Sequence, residues 1–203
     1  MADSQFTLIS DQLIEVGRQL SAAGMVPATS GNFSARLDNG DLAITRSGAH
    51  KGKLRADQIM RVDAMGESYD ERQPSAETLL HVQIYQHYSD VKAVLHVHSM
   101  NSTVLSQQLD KVQLSQYELL KAFPGITSHE AHLTIPVFQN DQNMPRLVHA
   151  VEEYIDKHGD IVAYLIAGHG FYAWGQSVDQ AFNCVEALEF LLACELLKRR
   201  MTT

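Results

Sequence analysis

Ala93-Val94-Leu95-His96-Val97-His98-Ser99 sets two imidazoles at alternate positions of an otherwise apolar run. Residues two apart on a strand project from the same face, so the run predicts a buried strand over 92–97 with His96 and His98 side by side. A buried ring nitrogen without a partner is costly. These two rings therefore either hydrogen-bond within a core or hold an ion in common. Ten histidines among 203 residues make a spacing of two ordinary, so the pair alone leaves both readings open. A third histidine lies between glycines in Gly168-His169-Gly170.

Upstream of the strand, Leu79, Leu80, Val82 and Ile84 supply apolar bulk to a helix over Ser75–His87, with Ser75 as its cap and Pro74 ahead of it. Further back, Leu8, Ile9, Leu13, Val16 and Leu20 follow a helical period over 6–23 that stops at Gly24. Phe33, Ala35 and Leu37 alternate with polar residues up to Asp38-Asn39-Gly40, and Leu42–Thr45 completes a hairpin that a strand over Ile59–Val62 joins. Downstream, the pattern predicts helices near 101–109 and 116–122, a strand over Thr134–Phe138 and a helix over Pro145–Lys157. Two strands, Ala163–Ile166 and Phe171–Gly175, flank the Gly168-His169-Gly170 turn, and a final helix runs over 178–198. Strands and helices mixed without regular βαβ alternation predict an α/β fold of three layers, α/β/α, with a central, mostly antiparallel sheet. The length suits one domain over 1–203.

A net charge of −8 without a clustered basic face argues against nucleic acid as a partner. Lys51, Lys53 and Arg55 form the one dense basic stretch before the C-terminus, which suits a small anion or a solvated loop. The first residues lack the pattern of a signal peptide and no apolar run reaches membrane-spanning length, so the expectation is a cytoplasmic protein with no membrane partner. Cys184 and Cys194, ten apart on one predicted helix, would be about 15 Å apart, too far for a disulfide.

Thr29-Ser30-Gly31-Asn32-Phe33-Ser34 and Thr45-Arg46-Ser47-Gly48 combine hydroxyls, glycine and backbone donors beside strand ends. Such loops cradle phosphates, and they also serve as plain turns. Pro74-Ser75-Ala76-Glu77-Thr78 adds a hydroxyl at a helix N-terminus, where Glu77 by itself reads as a partner of the helix dipole. Glu118, beside Leu119-Leu120, by itself reads as a solvated surface carboxylate. His81, His87, His129 and His132 read as surface or hydrogen-bonded core residues.

Taken in order, Thr29-Ser30-Gly31-Asn32, Thr45-Arg46-Ser47-Gly48, Pro74-Ser75-Ala76-Glu77, His96-Val97-His98 and Gly168-His169-Gly170 resemble the class II aldolase family over nearly the whole chain. The resemblance implies one zinc ion per subunit on His96, His98 and His169, and a phosphorylated ketose as substrate. It implies phosphate contacts from Ser30, Gly31, Asn32, Ser47, Gly48 and Ser75, with Lys51 as counter-charge, in homotetramers whose sites lie at subunit boundaries. Three stretches, Arg46–Gly52, Ser75–His81 and Tyr117–Lys121, look most like the members that dehydrate a methylthio-substituted ribulose phosphate in methionine salvage. In that branch the acid/base carboxylate looks to be Glu118, with its pKa raised by a partly apolar setting, and Glu77 is a second site carboxylate. In the aldolases the residue matching Glu77 takes that role. Aldol cleavage or epimerisation of another sugar phosphate is the nearest rival expectation. A non-catalytic interaction protein with the same fold is the remote one.

Overall fold

A computed structural model describes residues 2–201. The chain runs α1 (Ala2–Ala22), β1 (Asn32–Arg36), β2 (Leu42–Thr45), β3 (Ile59–Val62), α2 (Thr78–His87), β4 (Ala93–Val97), α3 (Met100–Ser106), β5 (Lys111–Ser115), β6 (His132–Phe138), α4 (Met144–His158), β7 (Ala163–Ile166), β8 (Gly170–Gly175) and α5 (Val178–Met201). The strands form one sheet in the order β3-β2-β1-β4-β8-β7-β6-β5, antiparallel except where β6 meets β7.

The histidine strand β4 is central and buried along its whole length, which is why it reads as a nearly continuous apolar run. Its side chains divide between two cores. Leu95 and Val97 pack with Phe33, Phe171 and the inner faces of α1 and α5, including Leu13, Val16, Leu188 and Leu191. Val94 lies on the other face with Ile44, Tyr164 and Tyr172, against Leu80 and Ile84 of α2 and Val151 and Ile155 of α4. Helices on both faces of a mostly antiparallel sheet give the expected three layers. Cys184 and Cys194 are both free, and no helix among the described residues is long and apolar enough to cross a membrane.

Local chemistry revises three expected elements and adds one strand. Ser75 is not the cap of α2: its Oγ accepts from the Glu77 amide at 3.3 Å, and its carbonyl accepts from the Thr78 amide. The helix proper starts at Thr78, with Glu77 in the N-cap position making no side-chain cap. The helix expected near 101–109 is Met100–Ser106, capped by Ser99, whose side chain accepts from the Ser102 amide. Lys111-Val112-Gln113-Leu114-Ser115, which had no predicted element, is an edge strand with Val112 and Leu114 inward, paired to a β6 that begins at His132. The helix expected over 116–122 is a five-residue 3-10 turn, Glu118–Ala122, entered through Gln116 at φ +62°.

Candidate metal centre

Strand register assembles the centre. Asn32 of β1, His96 of β4 and Tyr172 of β8 are directly opposite one another, and Tyr164 of β7 follows Tyr172, so one polar row crosses the sheet. His96 is 0% exposed and stacks on Tyr172, with centroids 4.1 Å apart and planes 15° off parallel. His98 lies just past the end of β4, where its amide donates to the Met25 carbonyl at 2.8 Å. His169 sits in the tight turn between β7 and β8. Gly168 adopts φ +65° there, and a Cβ on Gly170 would overlap the Val97 carbonyl, so the turn closes directly against the histidine strand. The three rings have centroids 4.4–5.0 Å apart, and one ligand atom from each falls within 4.8 Å of the others.

The chemistry of this cluster calls for a cation. His96 Nδ1 lies 3.0 Å from the Phe171 carbonyl, which only accepts, so Nδ1 carries the proton. A neutral His96 then presents a bare lone pair at Nε2, a buried atom with no hydrogen-bond partner. Glu77 Oε2 lies 3.3 Å from that nitrogen, and Glu77 Oε1 lies 3.3 Å from His169 Nε2. His169 Nδ1 is likewise buried without a partner. Burial lowers the His96 pKa to about 4 against the pull of Glu77, and burial with the neighbouring rings lowers His98 to about 3. His96 and His98 are thus neutral, and the His96 lone pair facing the Glu77 carboxylate suits a cation shared with them. The hydrogen bond to the Phe171 carbonyl orients His96, as outer-shell partners of metal-binding imidazoles do.

Glu77 is the carboxylate of this cleft, its side chain 14% exposed. Asn32 Nδ2 donates to Oε2 at 2.8 Å and the Tyr172 hydroxyl donates to the same oxygen at 2.7 Å. Burial pushes its pKa up, but His96, Asn32, His169 and Tyr172 outweigh burial and hold it at about 2. Burial keeps His96 neutral near neutral pH, where the Asn32 and Tyr172 donors still stabilise the carboxylate. The reading of Glu77 as a helix-dipole partner therefore gives way to a largely buried, ionised carboxylate beside the histidines.

Of the residues expected at a phosphate, Gly31, Asn32, Ser47, Gly48, Lys51 and Ser75 line a cavity of about 200 Å³ whose inner wall includes Glu77, His98 and His169. Ser30 does not; its hydroxyl turns to the Pro27 carbonyl at 2.7 Å. The Asn32 amide is already committed, to Glu77 through Nδ2 and to His81 through Oδ1. Lys51 is buried and donates to the carbonyls of Thr29 at 2.8 Å and Ala49 at 2.5 Å, which leaves one ammonium proton over. Burial lowers its pKa to about 8, offset in part by Glu77. Arg46 also lines the cavity, although only its motif and not its own role is visible in the sequence. Tyr172 is the functional side chain that the sequence hides most completely, since Phe171-Tyr172-Ala173-Trp174 reads simply as core strand.

Glu118 lies elsewhere. Its side chain is 74% exposed, paired with Lys121 and 3.9 Å from His129, and none of the three histidines is among its partners. The expected apolar setting is absent, because Leu119 is itself 39% exposed and only Leu120 turns inward. The hydrogen bond from Lys121 lowers the Glu118 pKa, opposite to the expected rise.

The chain matches the family model described as Class II Aldolase and Adducin N-terminal domain over residues 11–196. It is 55% identical over 196 residues to the methylthioribulose-1-phosphate dehydratase of Methylococcus capsulatus, covering 96% of each chain. It is 47% identical to the enzyme of the same name from Azotobacter vinelandii, covering 95% of each. Among solved structures, the L-fuculose-1-phosphate aldolase of Thermus thermophilus superposes with a TM-score of 0.79 at 24% identity, covering 97% of this chain and 98% of that one. With five spaced motifs, three histidines beside a largely buried carboxylate and a family match over most of its length, the chain belongs to the class II aldolase and adducin family.

Proposed function

We propose that this protein is a zinc-dependent hydro-lyase that converts 5-methylthioribulose 1-phosphate to 2,3-diketo-5-methylthiopentyl 1-phosphate in methionine salvage. The identity of 47–55% to dehydratases of that name, over 95–96% of both chains, carries the reading. The cluster of His96, His98 and His169 beside Glu77 supports it. When bound by the three histidines, zinc supplies a Lewis acid for the C2 carbonyl of the substrate. Ser47, Gly48, Ser75 and the spare proton of Lys51 hold the phosphate, and this fixes the reacting carbons against the cleft. Glu77 stays ionised and keeps the histidine face of the cleft negative.

Glu118 removes the C3 proton and returns it to the departing C4 hydroxyl, so that water leaves and the enol product tautomerises to the diketone. An exposed Glu118 with no contact to the histidines suits this role only if it enters the cleft of a neighbouring copy. That arrangement agrees with a homotetramer of single-domain subunits, one zinc in each, acting in the cytoplasm. A second reading, aldol cleavage or epimerisation, is favoured by one observation: Glu77 is the acidic residue that this chain itself places at the histidines. Mass spectrometry of the products from zinc-loaded protein separates the two. Loss of water to give the diketone is expected; two carbon fragments or a product of unchanged mass overturns the proposal.

A further inference from the structure

Behind Glu77, buried polar groups continue away from the cleft in a single line. Glu77, His81 and Tyr85 repeat at intervals of four along the face of α2 that meets the sheet, and Asn32 and Ser34 repeat at intervals of two along the facing side of β1. They interleave. Asn32 bonds both Glu77 and His81; Ser34 Oγ lies 2.7 Å from His81 Nδ1 and 2.8 Å from the Tyr85 hydroxyl. His81 and Ser34 are fully buried and Tyr85 nearly so.

The Glu77 end, where Oε2 accepts from the Tyr172 hydroxyl as well as from Asn32, assigns every proton in the line. A carboxylate only accepts, so Asn32 must turn Nδ2 to Glu77 and Oδ1 to His81. His81 Nε2 therefore carries hydrogen. Burial lowers the His81 pKa to about 4, which leaves the ring neutral and Nδ1 an acceptor. Ser34 gives its one proton to Nδ1 and so accepts from Tyr85. All donors point toward Glu77. Were Asn32 to flip, its oxygen would face the carboxylate oxygen and its amide protons would face the His81 N–H.

We propose that His81 is a positioning residue: its Nε2–H locks the Asn32 amide, which with Tyr172 pins Glu77 Oε2 and leaves Oε1 directed at His169. The inference rests on the metal-centre reading but not on the identity of the substrate. Its test uses the zinc-binding protein with Zn²⁺ alone as probe. In ¹⁵N spectra of the unaltered metal-free protein, His81 is expected as a single Nε2–H tautomer. In chelator competition, His81→Phe, which offers Asn32 no donor, is expected to weaken zinc binding about tenfold, the scale of lost outer-shell partners. His81→Gln, whose amide can donate to Asn32 Oδ1, is expected to recover most of that loss. A purely structural histidine would lower the melting temperature in both variants and leave zinc affinity unchanged. An Nδ1–H tautomer, or a folded His81→Phe variant with unaltered zinc affinity, overturns the proposal. The tautomer is read on the native sequence, so a Phe variant that fails to fold leaves the test standing. Failure to dehydrate the proposed substrate, with tautomer and zinc response as expected, counts against the substrate and not against His81.

Discussion

Replacing Tyr172 with Phe removes one oxygen and little else. The ring is fully buried, stacked on His96 at 4.1 Å and on Tyr164 at 4.9 Å, and Phe preserves both stacks. What disappears is the hydroxyl donor 2.7 Å from Glu77 Oε2. Hydrogen bonds to charged groups contribute roughly 1.5–3 kcal/mol, and Glu77 keeps Asn32, so the expected loss is about 2 kcal/mol near neutral pH. At about 1.4 kcal/mol per pKa unit, the Glu77 carboxyl should rise by about 1.5 units. Its pKa in the folded protein, about 2, lies below the ordinary value of 4.5. Its contribution is therefore present above 4.5 and is lost as pH falls toward 2. The stability gap between wild type and Tyr172→Phe should be constant from neutral pH down to the ordinary carboxylate range, then narrow on further acidification. Urea denaturation of the metal-free proteins across that range measures the gap, and ¹³C titration of Glu77 reads the pKa directly. A gap below about 0.5 kcal/mol at neutral pH, too small for a bond to a buried carboxylate, refutes the reasoning, as does a gap that widens in acid.

Four further outcomes are expected. Gly170→Ala drives a methyl into the Val97 carbonyl and should cost about 3 kcal/mol, seen as a lower melting temperature. Glu118→Gln should leave folding and zinc content unchanged while slowing dehydration by on the order of 10²–10⁴, because only the base is lost; unimpaired turnover removes Glu118 from the mechanism. Inorganic phosphate should bind more weakly as pH rises through about 8, where Lys51 loses its charge, and Lys51→Met should abolish that pH dependence in a binding titration. His96→Ala, His98→Ala and His169→Ala should each lose zinc by elemental analysis, and full retention in any one variant excludes that residue from the centre.

The sheet was legible because its central strands carry strong local signals. Asp38-Asn39-Gly40 marks the β1–β2 hairpin, with Gly40 at φ +92°, and the apolar run around His96 marks a strand buried on both faces. β5 was not legible, since only Val112 and Leu114 of an edge strand face the core and two inward residues make a short pattern. The histidine cluster was legible only through the resemblance that five ordered motifs carry, because the spacing on one strand left a hydrogen-bonded core and a shared ion both open. The surroundings of Glu77 were not, because Asn32 and Tyr172 meet it only through the register of β1, β4 and β8, and register is a property of the folded sheet. His81 shows the same limit: the sequence suggests a surface or a hydrogen-bonded core histidine, the structure contains the latter, and its link to Glu77 through Asn32 emerges only in three dimensions. Glu118 shows the reverse case. Its neighbours Leu119 and Leu120 suggest shelter, yet a 3-10 turn points them in different directions and leaves the carboxylate in solvent.

The central proposal is a zinc ion on His96, His98 and His169. X-ray absorption of the zinc-loaded protein, with metal content measured on the same sample, tests it in one step. The account predicts one zinc per chain with three imidazole nitrogens at about 2.0–2.1 Å and the remaining scattering from oxygen. Sulfur in the first shell, fewer than three imidazoles, or zinc well below one per chain after loading would contradict it.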